Sequence, residues 1–308
     1  MDLTFTPLQE ELRTEARAFL AGTPSPTWAE LAALGWTGCS VAESLGGAGL
    51  SFLEEGVLFE ETGRALLHSP FLSTVAGILP ALPPAEQTRV ASGEASWALA
   101  LGPLVPDLDT VTHLAIVGGD EIRELVGAER DLLETVDATR PLGIVTGGEP
   151  GARLASSDVL PALRARLLAA LALEACGVAS AALELAVAHA REREQFGRPI
   201  GAYQAVAFPL ADAYASVELA RSLAWWAAWC VATAHPDAPL AAASAKAAAA
   251  DAAVAACGQA IQTLGGIGFT WEHPLHRYYK RSLGIRSWEA SPAQLRGEVA
   301  DHLIEGGR

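Results

Sequence analysis

Over the first ninety residues apolar side chains recur every three or four positions, the spacing of helices that bury one face. Leu8, Leu12, Ala16 and Phe19 make the first stripe; Thr6 is placed to cap it, with Pro7 at the first helical position and Gln9 at the capping-box position. WAELAALGW, closed by Gly35, predicts a second short helix. FLEEGVLFEETGRALL predicts a third, with Phe52, Leu53, Val57, Phe59 and Leu66 largely on one side. Between about 92 and 158 the pattern shortens to SWALALGPL, THLAIVGG and RPLGIVTGG, brief apolar runs broken by Gly and Pro, as strands are. Helical spacing returns in three long alanine-rich segments, which start at PALRARLL, AYQAVAF and APLAAAS, and in a last one, SPAQLRGEVADHLIEG. Long helices of small residues joined by short connections predict an antiparallel bundle. The expected fold is mainly α with a small β domain: an N-terminal helical domain over 1–91, a β domain over 92–158 and a C-terminal four-helix bundle over 159–308.

Composition narrows the function. The 308 residues are 51% hydrophobic and 19% charged, which suits a globular chain with a large core. The formal charge of −15 opposes non-specific binding to nucleic acid or to a membrane surface. An anionic small molecule stays open, because a few arginines can form a local pocket for it. The only lysines are Lys246 and Lys280. Cys39, Cys176, Cys230 and Cys257 lie far apart and read as buried thiols, and no spacing suggests a metal site. The acidic, amphipathic N-terminus does not read as a signal peptide, and the apolar run SLAWWAAWCVATA is too short to span a membrane. A cytoplasmic protein with no membrane span is expected. LGGAGLS, at 45–51, follows no strand and carries no phosphate-loop lysine, so it reads as a connection between helices.

REREQFGRPI, at 191–200, ends a long helix with an aromatic and two arginines at a Gly/Pro break, more than a surface turn needs. Two further stretches are as distinctive: AIQTLGGIGFTWEHPLHRYYKR and IRSWEASPAQLR. Together they resemble the acyl-CoA dehydrogenases, flavoproteins that place a double bond α,β to a thioester. The first two match that family's Arg-x-Gln-Phe-Gly-x-Pro-Ile and Gln-x-x-Gly-Gly-x-Gly-Phe patterns. The stretch from GWTGCSVAESLGGAGLS to EETGRAL is similar to its N-terminal Gly-Trp and Gly-Gly-x-Gly region.

The resemblance implies an FAD cofactor and an acyl-CoA thioester substrate. It implies that the loop bearing Arg193, Gln195 and Phe196 reaches the FAD of a neighbouring subunit, where a guanidinium can fork onto the diphosphate. It implies that Gln262, Gly265 and Gly266 meet the cofactor as well. Counting on without a gap from the glycine pair places Glu289 on the family's catalytic glutamate, which removes the α proton. Desolvation beside Trp288 and a flavin would then suit it to act as a base near neutrality. Around it, Ala290 and Ser291 replace the family's Gly-Thr. At the alternative base position stand Leu167 and Leu168, with Glu174 two turns further on. The family's flavin-holding segments of the β domain are missing from 92–158, so this domain looks shortened.

Shortened members pair with a full-length partner as a heterotetramer and act on bulky acyl groups, such as those of sterol breakdown. A homodimer or tetramer is the other implied assembly, with electron-transfer flavoprotein or a similar protein as acceptor. Two further readings stand beside the dehydrogenase: a non-catalytic scaffold that completes a partner's FAD site, and a flavin-independent acyl-CoA binding protein.

Overall fold

A computed structural model describes residues 4–306. Its N-terminal helices begin where side chains satisfy free backbone N–H groups. Thr6, Thr27 and Ser51 each accept from the turn that follows, and Gln9, Glu30 and Glu54 reach back to the cap residue's own N–H. These boxes start α1 (Pro7–Gly22), α2 (Trp28–Ala33) and α3 (Phe52–Ala65). In α1 the buried stripe is rotated from the expected one: Leu8 is 49% exposed, while Ala16 and Leu20 are buried. The 45–51 stretch does connect helices. A Cβ on Gly47 would lie 2.2 Å from the Val41 carbonyl oxygen, so close packing explains the glycine there. A π-helical turn at Leu72–Ala76 and α4 (Pro84–Ala91) lead into the strands.

Strands β1 (Trp97–Ala100), β2 (Leu104–Pro106), β3 (His113–Gly118), β4 (Glu121–Val126), β5 (Glu129–Leu133), β6 (Leu142–Thr146) and β7 (Glu149–Ser156) follow. They form a four-stranded sheet in the order β1-β3-β4-β7 and a three-stranded sheet in the order β2-β6-β5. Only the β1–β3 pair is parallel. The two sheets share a small core of Ala98, Val105, Leu108, Val111 and Leu114. β4, β5 and β7 carry no long apolar run: β5 is mostly exposed, β7 alternates exposed with half-buried positions, β4 is half-buried around the buried Ile122, and all three carry charged residues.

The C-terminal part is built on α5 (Leu160–Glu192), α6 (Gln204–Ala232), α7 (Ala238–Leu264), α8 (Leu275–Ser287) and α9 (Pro292–Gly306). Helix α8 is additional to the four expected. Its buried face includes Arg281 and Ser282 beside Leu275 and Ile285, so no clear apolar stripe announces it. α5 is central and packs on α3, α6, α7 and α8. It crosses α3 backbone to backbone: a Cβ on Gly63 would lie 2.3 Å from the Glu174 carbonyl oxygen, and one on Gly177 1.9 Å from that of Glu60. The segments Ser157–Glu192 and Ala238–Phe269 are long and apolar enough to cross a membrane, but 72% and 61% of their most apolar windows are buried inside the protein. All four cysteines are buried and free.

Candidate functional site

A cavity of about 580 Å³ opens where the β1–β2 region meets α5 and α8. Leu99, Leu101, Pro103 and Leu104 form one wall, Leu283, Ile285 and Trp288 the other, and Leu167 of α5 contributes from the bundle. Arg140, Arg281 and Asp137 supply the polar end. Glu289 also lines the cavity. The sequence positions at which the family resemblance places a base, Glu289 and Leu167, are thus brought to one space.

Glu289 sits in the short link between α8 and α9. Helix α8 stops at Ser287, Trp288 is extended, and Glu289 has φ +66°, a left-handed conformation uncommon for a residue with a side chain. The Ala290 N–H donates to the Trp288 carbonyl at 2.9 Å, which closes a three-residue turn around Glu289. The buried ammonium of Lys246, from the middle of α7, donates to the carbonyls of Arg286 (3.3 Å), Trp288 (3.1 Å) and Ala290. Burial pushes the Lys246 pKa down to about 8, with Glu289 opposing the shift and Arg164 assisting it.

The carboxylate of Glu289 is largely withdrawn from water, 14% exposed, and it also carries an ion pair. Arg164 Nε donates to Glu289 Oε1 at 2.6 Å, and the other two nitrogens of Arg164 hold Glu298 of α9 at 2.8 and 2.9 Å. Glu289 Oε2 is buried without a hydrogen-bond partner. One oxygen is therefore anchored and the other is free to accept a proton.

Glu174, the weaker candidate base, has a structural role instead. Arg140 holds it with two bonds of 2.8 and 2.6 Å, and Arg281 holds it at 2.6 Å. Burial alone would raise its pKa; the two guanidiniums overcome that and lower it. A carboxylate saturated by two arginines cannot move to a substrate. Asp137 answers Arg281 from the β region at 2.9 Å, and its pKa too is lowered, against burial, by that guanidinium and by Thr139.

The six residues proposed to hold the cofactor lie elsewhere. After α5 the chain forms a hairpin of β8 (Glu194–Gln195) and β9 (Arg198–Pro199), with Phe196 (φ +52°) and Gly197 (φ +78°) at the turn. Arg193 and Gln195 are exposed, and Phe196 is 93% exposed. The Tyr203 hydroxyl donates to the Gln195 carbonyl at 3.1 Å, and Arg198 lies over the Tyr203 ring at 4.1 Å, which stiffens the hairpin without covering its tip. Gln262, Gly265 and Gly266 are exposed at the end of α7. A Cβ on either glycine would meet nothing within 4 Å, so open backbone faces outward there. None of the six lines the cavity with Glu289.

Sequence reasoning missed Arg164, Lys246 and the Arg140–Arg281 pair. The signal for Lys246 was present: a single cation inside the alanine run ASAKAAAADAA. For Arg164 and Arg281, which find their acids more than a hundred residues away, no local pattern exists.

Residues 6–83 match the family model of the acyl-CoA dehydrogenase N-terminal domain, and residues 164–304 that of the C-terminal domain. Over 275 residues the chain is 34% identical to acyl-CoA dehydrogenase IpdE2 of Mycobacterium tuberculosis, a match that covers 86% of this chain and 82% of that protein. It is 35% identical over 287 residues to acyl-CoA dehydrogenase FadE34 of the same organism, covering 84% of this chain and 39% of that longer protein. A solved structure, a variant of the Tcur3481–Tcur3483 steroid ACAD, superposes with a TM-score of 0.87 at 26% identity, over 97% of this chain and 98% of that one.

Proposed function

Since the chain belongs to the acyl-CoA dehydrogenase family, we propose that it takes part in the FAD-dependent α,β-dehydrogenation of an acyl-CoA thioester, with Glu289 as the base. One observation carries this reading: Glu289, which keeps one carboxylate oxygen free of hydrogen bonds, lines a largely aliphatic cavity, where a thioester's acyl group would be shielded from water. FAD, the family's cofactor, supplies the acceptor for the β-hydride when bound. The residues present fit that group. Exposed Arg193 would pair with its diphosphate, Phe196 would pack against it, and Gln195, Gln262, Gly265 and Gly266 would meet it through polar side chains and open backbone.

The chain's own part is proton removal. The α proton passes to Glu289 Oε2, and the carboxylate becomes a neutral acid. Arg164 would be stranded by that neutralisation if Glu289 were its only partner. Glu298 keeps it paired throughout, so the proton transfer leaves no orphaned charge. The aliphatic wall keeps water from competing for the base. A polycyclic acyl group would suit that wall, and the similarity to a steroid ACAD supports this choice of substrate. Electron-transfer flavoprotein or a similar protein would reoxidise the cofactor.

A specific observation favours a second reading, a scaffold subunit that completes a partner's FAD site. The six cofactor-facing residues point to solvent and lie outside the chain's own cavity. The Tcur3481–Tcur3483 ACAD, named for two polypeptides, supports assembly with a second, full-length chain. A homo-oligomer would satisfy the same geometry. Glu289→Gln separates the two readings. As a base, its loss lowers turnover at least about 100-fold while FAD stays bound. Unchanged turnover would leave the scaffold role.

A further inference from the structure

Lys246 is fully buried in an alanine-rich helix, where an ammonium costs far more to desolvate than it returns unless every proton is bonded. It carries three N–H donors, and it meets three carbonyls. Those carbonyls belong to Arg286, Trp288 and Ala290, the residues that bracket Glu289 on both sides. This segment also contains the left-handed Glu289, a conformation that costs about 1–2 kcal/mol for a residue with a Cβ and persists only where its surroundings fix it. The carbonyl before Glu289 and the one after it point to the same ammonium, a geometry an extended or helical segment would not give.

We propose that Lys246 is a positioning residue: by gathering these three carbonyls it holds the strained turn that sets the Glu289 carboxylate on the cavity wall. The inference rests on Glu289 acting as the base. Arg164 anchors the side chain and Lys246 anchors the backbone beneath it, so α5 and α7 together fix a group that α8 and α9 only suspend.

The charged groups that bear on the ammonium are Glu289, Arg164 of α5, Asp251 of α7 itself and Arg286 of α8, and Glu298 of α9 reaches it through Arg164. Burial lowers its pKa to about 8, Glu289 and Asp251 oppose that, and Arg164 and Arg286 add to it. A neutral amine keeps two donors and aims a lone pair at the third carbonyl. The turn therefore loosens as pH rises through that value, and positioning is complete below it.

The test uses the FAD-loaded enzyme with whatever partner subunit it requires, and compares Lys246→Met, Lys246→Arg and Glu289→Gln with wild type. If Lys246 positions the base, K246M lowers kcat by about 100-fold, the scale of a misplaced catalytic group, with KM nearly unchanged. The wild-type kcat falls above about pH 8, and K246R recovers activity and moves that fall to higher pH. A crystal structure of K246M should show Glu289 out of the left-handed region. Wild-type kcat in K246M, or a Glu289 turn that keeps its conformation there, would overturn the proposal. If neither lysine variant folds, a wild-type kcat that stays flat from about pH 7 to 9.5 overturns it equally. Should E289Q keep full turnover, the base reading fails separately, and the K246M structure alone decides whether Lys246 holds the turn.

Discussion

Arg281 has no solvent exposure and binds three separate parts of the chain: Leu67 before the strands, Asp137 and Thr139 of the β region, and Glu174 of α5. A buried charge of this kind adds little when complete but leaves unpaired partners when cut. Arg281→Met should lower unfolding stability by about 3–5 kcal/mol, read as a lower urea midpoint. The pH dependence gives the same group a second signature. Glu174 and Asp137 have folded pKa values below their ordinary 4.5 and 3.8, so their contribution is fully present above those values and is lost as pH falls through the lowered ones. In R281M that acid loss should be shallower. Asp107, which burial holds high, acts in the opposite sense; Arg281 is one of the cations that pull it down, so its loss raises Asp107 further and adds to the shallower acid loss in R281M. If R281M matched wild type in midpoint and acid slope, the cluster would carry no stability. None of this was legible in sequence, since the partners lie 107 and 144 residues from Arg281.

Helix identity was easier to read than helix placement. The capping boxes at Thr6, Thr27 and Ser51 are local and can be seen in a few letters, but α8 and the strands β4, β5 and β7 carry too many charged residues to show a buried face. The close crossing of α3 on α5 is a property of pairs of elements. Gly177→Ala should cost about 1–3 kcal/mol, because its Cβ would meet the Glu60 carbonyl at 1.9 Å in a backbone that cannot yield locally. Gly258→Ala, in the interior of α7 with nothing within 4 Å of the added carbon, should instead stabilise by about 0.5–1 kcal/mol. Thermal melts of the two variants should move in opposite directions; a shift of the same sign in both would refute the crossing as described.

For the whole molecule, the order of helices, sheets and bundle followed from periodicity, and the three C-terminal motifs pointed to the family. What they could not give was the separation between the cavity and the tips proposed to meet the cofactor, which depends on how the hairpin and the end of α7 project from the bundle. That separation predicts that flavin occupancy follows assembly. A species that elutes as a monomer should be colourless, and the flavin spectrum should appear in the dimer or larger complex. A monomer carrying stoichiometric FAD would show that one chain closes the site by itself.

The scarcity of lysine has a practical consequence for chemical labelling. Of the two ε-amines, Lys246 is sealed inside the bundle, while Lys280 is half-buried on the cavity wall, 4.1 Å from the Trp271 ring. Amine-directed crosslinkers and dyes, which ordinarily decorate a protein all over, have besides any α-amine one side chain to find here, and that residue borders the cavity. Succinimidyl esters would thereby mark few sites on this chain, with Lys280 the one accessible side chain among them.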